Sequence, residues 1–191
     1  MKKFSEPKGG GLGWWWHTTE DTRDKIDVDT LVRDARVYAE TLWRLCTLSR
    51  LPFDYAATAA ELAQTLQRYQ EAAHGQIDLE RTRALALELS QELRGGALDR
   101  LDADQANEVL IALAHLLIPV NYTRRGPFEH DLALGTSPLP GLADAVTLGQ
   151  LDRDGDEIRF LRTRLERERN RVEHALRSAI RVVQSAGAAP R

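Results

Sequence analysis

Six residues near the start of the chain, His17-Thr18-Thr19-Glu20-Asp21-Thr22, place an imidazole among hydroxyls and carboxylates. A neutral imidazole is a good zinc ligand, and a neighbouring carboxylate or hydroxyl can orient its second nitrogen. Taken by spacing alone, a single histidine beside Thr and Asp more often serves a loop or a helix cap. A second gathering runs from Asn121 to Asp131 and combines Tyr122, Arg124, Arg125, Phe128, Glu129 and His130. Loops on a rigid scaffold often carry recognition, but this one also reads as a solvated loop pinned by Tyr122 and Phe128. Glu129, His130 and Asp131 are adjacent in sequence, and adjacent side chains seldom point at one ion. His74, His115 and His174 read as structural or surface residues. Gly9, Gly10, Gly11 and Gly13 lack the strand, helix and Lys-Ser or Lys-Thr context of a phosphate loop.

The stretch Trp16 to Asp27 resembles the final motif of a family of co-catalytic zinc peptidases that includes bacterial aminopeptidases, glutamate carboxypeptidase and transferrin receptor. That motif is His-Thr-x-x-Asp-Thr followed by an Asp-Lys-Ile-Asp-like stretch and a helix. Here His17, Thr18, Asp21 and Thr22 stand at its positions, and Asp24-Lys25-Ile26-Asp27 follows. The resemblance implies an α/β catalytic domain with two zinc ions, a glutamate general base, and His17 as the last zinc ligand. The other ligands precede this motif in the family, and a catalytic zinc takes about three protein ligands. The expectation is therefore zinc in a complete enzyme, none held stably by this chain alone, and an isolated chain without metallopeptidase activity.

A looser likeness covers residues 29–185, which are similar to the helical domain that follows the catalytic domain in transferrin receptor and glutamate carboxypeptidase. There it serves dimerisation and closes one side of the substrate cavity. Leu139-Pro140-Gly141-Leu142-Ala143-Asp144-Ala145 resembles the Pro-Gly element of that domain. By this resemblance residues 1–28 are a catalytic-domain remnant and 29–191 a dimerisation domain. In a complete enzyme Arg124 or Arg125 would meet a substrate carboxylate and Tyr122 would line the cavity. The partners implied are a second copy of the chain or a missing catalytic domain or subunit, with peptide substrate only in the complete enzyme. Two functions stay open: a C-terminal fragment or subunit of such a peptidase, and a free-standing helical oligomerisation or protein-binding module derived from one.

The elements that must position these residues are helices. From Asp29, an apparent N-cap, Leu31, Ala35, Tyr38, Leu42 and Leu45 form one stripe at alternating steps of four and three. Leu51-Pro52-Phe53 breaks it. A second helix starts near Asp54 with Leu62, Leu66 and Tyr69 on one face and ends at Gly75, and a third spans Asp78 to Arg94 before Gly95-Gly96. Asp102 and Gln105 form a capping-box pattern for a fourth, apolar almost all round and expected to be the most buried, which Pro119 should end. Residues 120–151 hold Pro127, Pro138 and Pro140 and no sustained period. A last helix, about Asp156 to Ser185, carries Leu161, Leu165, Val172, Leu176, Ala179 and Val183 on one side. Its other side should be laced by Arg162 with Glu166, Arg164 with Glu168, and Glu173 with Arg177. The architecture predicted is an all-α bundle of about five helices, with an irregular Gly/Trp-rich N-terminal segment and a long Pro-rich loop before the last helix.

Composition limits the remaining choices. With 191 residues, 42% hydrophobic and 29% charged, the chain has the make-up of a folded globular domain. A net charge of -3 from 26 Lys and Arg against 29 Asp and Glu gives no excess of positive charge for nucleic acid. No apolar run reaches the roughly 20 residues of a membrane span, so no membrane partner is expected and the chain as given reads as cytoplasmic, although a longer parent could be secreted. The single cysteine, Cys46, excludes an intramolecular disulfide and beside Leu45 reads as a buried, inert thiol. Trp14, Trp15 and Trp16 in a row suggest a surface in need of cover, and hence self-association.

Overall fold

A computed structural model of the chain describes residues 15–124, 138–151 and 155–188, and among them every regular element is helical. The chain divides into two compact units, one ending at Pro52 and the other beginning at Phe53.

The first unit contains a short 3-10 turn, Arg23–Lys25, and one long helix, α1, Val28–Thr47. The cap is Asp27 rather than Asp29: its extended backbone lets the carboxylate turn back and accept from Thr30 N at 2.7 Å. Capping satisfies an amide that the first helical turn leaves without a partner. The apolar stripe predicted for α1 is present, but no residue of the helix is buried. Leu31, Tyr38 and Leu42 are more than half exposed. Cys46 is exposed with them, so the expectation of a buried thiol fails, as does burial for every residue of α1.

The second unit is built from α2, Tyr55–Ala72; α3, Glu80–Arg94; α4, Ala103–Tyr122; α5, Ala145–Leu148; and α6, Asp156–Gly187. The helix pairs α2 with α3, α3 with α6, and α6 with α4 lie side by side. Asp54 caps α2 by accepting from Ala57 N at 2.9 Å, and the chain leaves that helix through Gly75 at φ 76°, a left-handed position open to glycine. The Asp102 and Gln105 capping box of α4 forms with both reciprocal bonds. Leu62, Leu66, Leu89, Leu113, Leu117, Leu165 and Leu176 fill a single apolar core. Two of its buried polar side chains bond across the core, Ser90 Oγ donating to Ala56 O at 2.9 Å and Thr82 Oγ1 to Glu173 Oε1 at 3.2 Å, whereas Gln76 Oε1 and Arg162 Nε are buried without a partner.

Three sequence expectations fail in this unit. Pro119 does not end α4, which continues to Tyr122. The Pro119 carbonyl, close to the helix end, accepts from Thr123 Oγ1 at 2.5 Å and from Arg171 Nη1 at 3.2 Å. Nor is α4 covered all round, since Ile111 and Ile118 are almost half exposed. Finally, the supposed structureless stretch before the last helix holds core: Leu139, Leu142, Ala145 and Leu148 are fully buried on a 3-10 turn, Pro140–Leu142, and on α5. Leu139 adopts a left-handed backbone, φ 53°, while its amide donates to Asn121 Oδ1 and Tyr69 Oη donates to the preceding Pro138 carbonyl at 3.1 Å.

Candidate functional site

His17 sits at the start of the described chain with φ 60°, a left-handed conformation uncommon outside glycine. The imidazole is exposed and stacks on the Trp16 ring, with centroids 3.6 Å apart and planes 17° from parallel. The hydroxyls of the motif build the turn around it. Thr18 Oγ1 donates to Trp15 O at 2.6 Å and accepts from Glu20 N at 3.1 Å, and Thr22 Oγ1 bonds to Asp24. Lys25 first, then Thr22, hold the Asp24 carboxyl below its usual range by hydrogen bonding. Trp16 is also exposed and Trp15 partly so, while Trp14 lies outside the described residues.

A zinc ion needs about three protein ligands. Among the described residues no group of three His, Cys, Asp or Glu side chains gathers in a way that could hold a metal. One imidazole, stacked on Trp16, does not by itself fit zinc.

Of the residues expected to meet substrate in a complete enzyme, Tyr122 and Arg124 lie at and just beyond the end of α4 in the second unit, while Arg125, like His130, falls outside the described residues. Tyr122 is half exposed and near Tyr55, whose phenol burial pushes up, with a smaller contribution from Tyr122. Arg124 shares the Asp144 carboxylate with Arg164, which comes from α6. Beside them Glu168 binds Arg171 at 2.7 Å, and Arg171 donates to the Thr123 carbonyl at 3.1 Å as well as to Pro119. Gly141 makes room for this network, since a Cβ there would fall 2.5 Å from Glu168 Oε2.

Arg124, Gly141, Arg164 and Glu168 line a cavity of about 280 Å³. Around it three guanidinium groups, those of Arg124, Arg164 and Arg171, are held by two carboxylates, Asp144 being shared by the first two and Glu168 taken by the third. Such an arrangement clamps the end of α4 to α6, because each cation already has an anionic partner. The sequence pairing of Arg164 with Glu168 missed this: Arg164 reaches Asp144 instead, and Glu168 is taken by Arg171. Of the three pairs expected on α6, Glu173 with Arg177 forms at 2.5 Å, and Arg162 Nε is buried without a hydrogen-bond partner.

The largest exposed apolar surface in the first unit is the face of α1. Val28, Leu31, Val32, Tyr38, Leu42 and Trp43 are all between 42% and 73% exposed on one helix of 20 residues. The spacing of steps of three and four is visible in the sequence, but it does not show how exposed the stripe is. Contiguous apolar surface on a folded protein marks interaction sites. Comparison of the chain with family models, with curated proteins and with solved structures returns no match. No described helix is long and apolar enough to cross a membrane.

Proposed function

We propose that this chain is a helical protein-docking and oligomerisation module whose docking surface is the apolar face of α1, and that it has no catalytic activity of its own. The observation that carries this reading is the contrast within α1 itself: a capped, regular amphipathic helix with no buried residue. Amphipathic helices gain most of their stability by burying the apolar face against something else. The test uses the whole chain at nanomolar concentration with an apolar fluorescent dye. The parent should bind dye, and Leu31→Asp with Leu42→Asp should abolish most of the signal. Equal dye binding by parent and variant would overturn the reading.

A second reading, descent from a zinc peptidase, is favoured by one observation. The left-handed backbone at His17 presents an exposed imidazole at the head of a hydroxyl-braced turn, directly before α1. Strained positions of this kind cluster at functional sites. In that reading His17 is one zinc ligand of a site completed by residues of a catalytic domain or subunit, and the chain with added zinc hydrolyses no aminoacyl or dipeptide substrate. Turnover that survives purification and is lost in His17→Ala would instead place a complete site within the chain. Coding sequence upstream of Met1 that supplies further histidine and carboxylate ligands in frame would support the peptidase origin. Its absence would count against it.

A further inference from the structure

The apolar face of α1 is complementary to itself when one copy is turned end for end. Val28, Leu31, Ala35, Tyr38, Leu42 and Leu45 repeat at steps of three and four along a helix about 30 Å long. That is the spacing of a two-helix seam in which apolar residues interleave in layers. Set antiparallel about a point between Arg36 and Val37, Val28 meets Leu45 of a second copy, Leu31 meets Leu42, and Ala35 meets Tyr38. Every large residue in the middle of the seam then faces the small one. A parallel pair would put Tyr38 on Tyr38 in one layer and Ala35 on Ala35 in the next, one overfilled and one left with a gap, and both errors destabilise.

Charge favours the same orientation. The side chains of α1 are charge-balanced in each half, Asp29 and Asp34 against Arg33 and Arg36 and Glu40 against Arg44, which leaves the helix dipole as the difference between its ends. Antiparallel pairing opposes the two helix dipoles, whereas parallel pairing sets them side by side. The polar side of the helix argues against a lipid surface as the occupant. It mixes Asp29, Arg33, Glu40 and Arg44, and Arg44 is tied to Glu40 at 2.7 Å, where an interfacial helix would carry mostly Lys and Arg.

We infer that α1 is the seam of an antiparallel homodimer, in which the cover of each apolar face is the same face of a second copy. This inference rests on the docking role proposed above and names the partner. Sedimentation of the full chain at tens of micromolar should show a dimer, with Leu42→Asp shifting it to monomer while the far-ultraviolet circular dichroism keeps its helical form. Orientation is read by oxidative cross-linking in a Cys46→Ser background. Val28→Cys together with Leu45→Cys should give a covalent dimer, and Val28→Cys alone should not. Cross-linking by Val28→Cys alone at full yield would mean a parallel pair and would overturn the inference. A parent that stays monomeric at tens of micromolar would overturn it too. If its dye binding still depends on Leu31 and Leu42, the docking role survives with a different partner. If that dependence is also absent, the face is covered from within the chain and both fail.

Discussion

Helices α1 and α6 carry the same kind of sequence pattern and meet opposite fates. Each alternates apolar positions at steps of three and four, and each has arginines and carboxylates on its other side. Eight residues of α6, among them Leu165, Val172, Leu176 and Val183, are buried in the core of the second unit, whereas α1 buries none. Periodicity therefore states that a helix has an apolar face, but not what lies against it. Cover is a property of the rest of the chain or of a partner, and it converts the same stripe into either stability or recognition.

The sharpest way to break that comparison is to make matching truncations in the two helices. Leu176 is fully buried, so Leu176→Ala leaves a cavity and should cost about 2–5 kcal/mol in urea or thermal unfolding. Leu42 is 61% exposed, and Leu42→Ala should change unfolding by no more than about 0.5 kcal/mol at concentrations too low for association. Comparable losses at the two positions would mean that α1 is packed as a core element, and the distinction between the helices would disappear.

A smaller effect tests how closely the second unit is built. Gly149, after α5, lies against the end of α2: an added Cβ would come within 2.0 Å of the Ala72 carbonyl oxygen and 3.0 Å of His74 Cδ2. A backbone oxygen cannot swing aside as the end of a long side chain can. Gly149→Ala should therefore destabilise by about 1–3 kcal/mol, the usual scale for overpacking, measured by the same unfolding curves. No change in the midpoint would show that α5 can lift away from α2 at little cost.

Much of the fold was legible in the sequence because local signals and burial agreed there. The Asp54 cap, the Asp102 and Gln105 capping box, Gly75 and the apolar face of α6 all did as their types suggest. The rest was decided by contacts distant in sequence. Residues 138–148 have no period because only a 3-10 turn and a four-residue helix form there, yet Leu139 and Leu142 are held in the core by Tyr69, Asn121 and the packing of α6. Helical spacing pairs Arg164 with Glu168, but Asp144, twenty residues earlier, takes it. The candidate site divides the same way. The turn around His17 follows from its own threonines, whereas the Asp144 partner of Arg124 could not be found from a run of adjacent residues.

The smallest expected effect lies at the start of α1, where no core masks the contribution of a cap. The Thr30 backbone amide first, then the Thr30 side chain, hold the Asp27 carboxyl below its ordinary range by hydrogen bonding. A carboxyl whose folded value lies below its unfolded one contributes stability that is present above the unfolded value, about 3.9, and is lost as pH falls through the folded one. Hydrogen exchange of the Thr30 amide should accordingly quicken, relative to its intrinsic rate, as pH drops below about 4. Asp24, also lowered, belongs to the preceding turn and titrates in the same region, so the Thr30 amide is a better reporter than total helicity. Asp27→Asn retains an acceptor for that amide without a titrating charge, since Asn is itself a good cap. In this variant the protection at Thr30 should vary little across the acid range. An equal acid response in parent and variant would assign the effect to Asp24, and α1 would then begin without the carboxylate cap that sets its first turn.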